Sequence, residues 1–63
     1  MIELTKMTHK KFILNAEIIE SIEEVPETLI TLTNGKKYIV LESVNNVINE
    51  VMQYKKKIFS GNL

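Results

Sequence analysis

Leu29-Ile30-Thr31-Leu32-Thr33-Asn34-Gly35-Lys36-Lys37-Tyr38-Ile39-Val40 is the stretch whose reading decides the fold. Asn-Gly between two β-branched runs is the preferred two-residue hairpin turn, because both central positions of a type I′ turn need positive φ. That turn predicts a register in which Thr33 faces Lys36, Thr31 faces Tyr38 and Ile30 faces Ile39. Alternation then puts Ile30, Leu32, Ile39 and Leu41 on a core face. Leu29, Thr31, Thr33, Tyr38 and Val40 fall on the other, which is more apolar than a solvent face requires.

Working outward, Ile2-Glu3-Leu4-Thr5-Lys6-Met7 and Lys11-Phe12-Ile13-Leu14 read as strands joined through Thr8-His9-Lys10. Asn15-Ala16-Glu17 is a short polar interruption. A third strand follows, with Ile18, Glu20, Ile22 and Glu24 alternating, and it ends at Val25-Pro26-Glu27-Thr28 because proline cannot donate to a ladder. Beyond Glu42 the period changes from two to about 3.6. Ser43 is a suitable N-cap. Val44, Val47, Val51, Tyr54 and Ile58 make one stripe, which Ile48 and Met52 broaden. Lys55, Lys56 and Lys57 complement the negative end of the helix, with Gly61 as its stop. No linker, repeat or low-complexity segment interrupts the chain. The expected fold is α+β: one domain over residues 1–63, a five-stranded antiparallel meander over about 2–41, strongly bent or barrel-like, then a helix over about 44–58.

Composition narrows the function. A chain of 63 residues has little core of its own, so self-association is expected from size alone. Without cysteine, disulfides and thiolate metal sites are excluded. Every anion is Glu and every cation is Lys. The bidentate arginine contacts of specific nucleic-acid readers therefore cannot be made. No apolar run reaches the length of a membrane span and no basic-then-apolar leader opens the chain. The expected compartment is the cytoplasm.

Few residues invite chemistry. His9, the one histidine, lies in a predicted turn beside lysines, and a metal site needs three or four converging ligands. Glu20, Glu23 and Glu24 read as the solvent side of a strand. Gly35 and Gly61 cannot build a phosphate loop. No nucleophile–base pair is present, so the expectation is a non-enzyme without cofactor, metal or small-molecule substrate. Charge is nonetheless uneven: residues 12–35 hold five glutamates and no lysine. The glutamate-rich strand and the lysines at the helix end suit contacts between subunits or with partners. Three lysines fall short of a polybasic lipid patch. The second sheet face, with Leu29, Thr31, Tyr38 and Val40, is the expected partner contact. It predicts a homo-oligomer centred near Tyr38.

These residues also carry a resemblance. Ile2-Glu3-Leu4-Thr5, Phe12-Ile13-Leu14-Asn15, Ile19-Glu20-Ser21-Ile22-Glu23, Pro26-Glu27-Thr28, the hairpin from Ile30 to Tyr38 and the helix from Val44 to Lys57 together resemble the FlbD family of small flagellar proteins, called SwrD where it supports swarming. This chain has one additional Ile before Glu20, and Thr8-His9-Lys10 where the family usually turns with Asn-Gly. The resemblance implies a cytoplasmic, non-enzymatic accessory, peripheral at the flagellar motor, that supports motor power through motor or stator components. It implies no catalytic or cofactor residue. The layout of five strands and a helix is also similar to the carbon storage regulator family, intertwined dimers that bind messenger RNA. That RNA surface depends on arginines, where this chain offers only Lys6, and zero net charge leaves a small counterion-release contribution.

Overall fold

The computed structural model describes residues 1–60, and the expected stop at Gly61 lies outside them. Five strands precede one helix: β1 (Ile2–Thr5), β2 (Lys11–Leu14), β3 (Ile19–Glu24), β4 (Thr28–Leu32), β5 (Lys37–Val40) and α1 (Val44–Ser60). All strand pairs are antiparallel, so the α+β class holds.

The expected continuous meander does not form. β1 pairs with β2, and β3, β4 and β5 make a separate three-stranded sheet. Asn15 explains the break. Its side chain accepts from the Glu17 N–H at 3.0 Å, and its carbonyl accepts from the Ile18 N–H at 3.2 Å. The chain thus turns through a 3-10 segment, Ala16–Ile18, that carries β3 away from β2. The two sheets meet on the far side instead. Lys6 bridges Val40, and the Leu41 N–H donates to the Thr5 carbonyl at 2.9 Å. In space the order is therefore β2-β1-β5-β4-β3, a bent surface rather than a barrel.

The hairpin at Gly35 corrects the register. Leu29 opposes Ile39, Ile30 opposes Tyr38 and Thr31 opposes Lys37. The Gly35 N–H donates to the Leu32 carbonyl at 2.9 Å, and the Leu32 N–H donates to the Lys36 carbonyl at 2.8 Å. Thr33, Asn34 and Gly35 therefore form a three-residue loop: a type I turn followed by a bulge residue, Gly35, at φ 90°. Asn34 keeps negative φ. A shift of one residue reverses every side chain of β5 relative to β4. Tyr38 and Val40 turn inward with Ile30, while Ile39 and Leu41, expected in the core, are 42% and 43% exposed.

β3 departs from simple alternation as well. Ile19 opposes Leu32 and Ser21 opposes Thr31, leaving Glu20 as the extra residue of a bulge. Ile19 and Ile22, three apart, consequently both reach the core edge. Across the bend, Leu4 and Ile30 are fully buried beside Ile2, Leu14, Leu32 and Val40. The helix closes this core with Val47, also fully buried, and with half-buried Val51 and Tyr54. Ser43 caps α1 as expected, its hydroxyl accepting from the Asn46 N–H at 3.1 Å. The helical stripe is narrower than expected, because Ile48, Met52 and Ile58 remain exposed.

Candidate interaction surface

The residues singled out from sequence do not converge. His9 is exposed in the β1–β2 turn, at φ 70°. Glu20 sits in the bulge, Glu23 faces outward opposite Leu29, and Glu24 lies by the start of the helix. Among the described residues, no group of three or more His, Cys, Asp or Glu could hold a metal ion. The helix is not long and apolar enough to cross a membrane.

The expected partner face is divided by the register. Leu29 and Thr31 are half-buried on the outer side of the three-stranded sheet. Val40 is 2% exposed in the core, and Tyr38 packs against that core from the inner side. These four do not share a surface. Tyr38 instead makes an aromatic contact with Phe12 of β2, ring centroids 5.2 Å apart and planes tilted by 33°. Lys6 lies 5.4 Å from the Phe12 centroid, in cation–π range. The pair ties the two hairpins together across the seam that Lys6 and Val40 begin.

A second tie was invisible in sequence, since its partners lie 37 residues apart. Glu42, at the entrance to the helix, accepts from the Thr5 N–H at 2.9 Å and from the Thr5 hydroxyl at 2.7 Å. Partial burial pushes its carboxyl up. The bonds from the Thr5 N–H and hydroxyl, its own backbone N–H and the nearby charge of Lys11 outweigh that and hold it below its ordinary value. This is a clamp on the seam: the carboxylate completes the hydrogen bonding of β1 where β5 ends.

Besides scattered outward side chains such as Ile13 and Ile39, two exposed apolar surfaces are concave. One lies at the helix start and turn tips, where Met7, Val25 and Leu41 are exposed beside Glu24 and Glu27. The other is a groove of about 190 Å³ between β3 and the helix, floored by Ala16, Ile19, Ile22 and Val51 and walled by Ile48, Met52 and Lys55. Ile48 and Met52 stand on one side of α1 at i, i+4 spacing, beside the stripe that enters the core. In the sequence the two stripes form one pattern, because spacing alone does not say where a narrow sheet stops covering a helix.

The family model described as Flagellar and Swarming motility proteins (FlbD) matches residues 1–59. No curated protein and no solved structure matches this chain.

Proposed function

Because the chain belongs to the FlbD family of flagellar and swarming motility proteins, its match running through all five strands and the helix to residue 59, we propose that it is a non-enzymatic accessory that supports swarming by sustaining flagellar motor power. It acts through protein–protein contacts at the cytoplasmic side of the motor, with motor or stator components as partners. The family match carries this reading. The surface supports it: large apolar side chains such as Met7, Leu41, Ile48 and Met52 stand exposed on so small a body, and apolar patches of that kind mark partner sites.

The test is deletion of the gene and complementation. Swarm expansion should be lost without the protein while filament number stays normal, and tethered-cell torque should fall. Unchanged torque in a non-swarming deletion strain would refute the motor-power reading. Loss of filaments would move the protein from motor support to assembly.

A further inference from the structure

We infer that the groove between β3 and α1 is the contact surface for a second copy of this chain, in a twofold dimer whose helices cross antiparallel. The groove is the open end of the core. Ile19 and Ile22 of the edge strand are only half-buried, and Ile48 and Met52, the latter 62% exposed, continue that apolar surface onto the helix. Charge names the occupant. At the helix start, Glu24 and Glu27 stand beside Val44 and Asn45. At the groove's other end, Lys55 stands beside Ile19 and Met52. The surface therefore runs from acidic through apolar to basic along one side of one helix. A twofold axis near residue 50 lays each basic end on the other copy's acidic end. It sets Ile48 against the second copy's Met52, and Lys55 against the second copy's Asn45 and Glu24. The antiparallel crossing also opposes the two helix dipoles favourably. A like-directed partner would place lysine on lysine.

The occupant, a second copy, is the one expected from sequence, but the surface differs from the one expected at Tyr38, since Val40 lies in the core and Tyr38 packs against it. This inference stands apart from the flagellar reading and is tested without cells. Sedimentation equilibrium of the full chain should show a dimer at micromolar concentration. Met52→Glu, at an exposed position, should weaken it at least tenfold while circular dichroism keeps its helix signal. Glu24→Lys and Lys55→Glu should each weaken the dimer, and the two combined in one chain should restore it. Because the chain lacks cysteine, Ile48→Cys and Met52→Cys chains mixed and oxidised should form a mixed disulfide. A wild type that stays monomeric at high micromolar concentration would overturn the inference. So would a dimer dispersed by Ile39→Glu on the outer sheet face but not by Met52→Glu.

Discussion

The β1–β2 and β4–β5 hairpins pair in the same register, residue for residue at an offset of 26. Leu4 and Ile30 are both fully buried, each opposite a half-buried ring, Phe12 or Tyr38. Thr5 and Thr31 oppose Lys11 and Lys37, and Ile13 and Ile39 point outward. The loops match too. The His9 N–H donates to the Lys6 carbonyl at 2.8 Å, as the Gly35 N–H does to Leu32, and the Lys6 N–H donates to the Lys10 carbonyl as the Leu32 N–H does to Lys36. The two loops differ at the bulge position: glycine at φ 90° in one, histidine at φ 70° in the other. The same backbone is thus made by a residue that favours it and by one that tolerates it. The flanking strands, not the turn residue, impose the geometry.

The largest expected effect is at the glycine. A Cβ at Gly35 would meet nothing within 4 Å, so Gly35→Val should cost about 1–2 kcal/mol from positive φ alone. In a domain this small that lowers Tm by about 4–8 °C per kcal/mol. An unchanged midpoint would show that the loop is not held at positive φ. Asn34 sharpens the comparison, because its side chain accepts from the Lys36 N–H at 3.0 Å. Asn34→Ala should cost about 0.5–1 kcal/mol, and denaturant titration would expose a silent substitution. In the first hairpin the direction reverses. His9→Gly should stabilise by about 0.5 kcal/mol, relief of positive φ outweighing the added freedom of the unfolded chain. A lower midpoint would mean that the imidazole does something that glycine cannot.

The smallest effect belongs to the clamp that only the first hairpin has. The Glu42 carboxyl titrates lower in the folded chain than in the unfolded one. Its contribution is therefore present at neutral pH and is lost as pH falls through the folded value. Amide exchange at Thr5 should lose protection in that window, and Glu42→Gln should flatten the dependence. A Thr5 amide insensitive to acid would show that the clamp is not formed in solution.

Much of the fold was legible because its signals are local. Asn34-Gly35 marked a hairpin, Pro26 ended a strand, and Ser43 opened a helix with the predicted hydroxyl contact. The register was not legible. Thr33-Asn34-Gly35-Lys36 accommodates a loop of two or of three residues, and apolarity favours the wrong one, since Ile39 with Leu41 is a more aliphatic pair than Tyr38 with Val40. One residue of ambiguity then divided the expected partner surface, turning Tyr38 and Val40 inward and leaving Leu29 and Thr31 outside. The first hairpin carries the missing information, since Lys10-Lys11-Phe12-Ile13 and Lys36-Lys37-Tyr38-Ile39 form a short internal repeat where none was expected. The bulge at Glu20 and the bond from Thr5 to Glu42 depend on chain segments meeting in space, and no spacing rule reaches them.

The seam between Thr5 and Glu42 also sets the order in which the molecule can be completed. The first hairpin is synthesised first, yet a lone two-stranded hairpin is marginal in water. Its open edge is satisfied only when residues 40 to 42 arrive. Closing that long loop is the costly, non-local step, so the first hairpin joins the sheet only after the chain through β5 and Glu42 has been made.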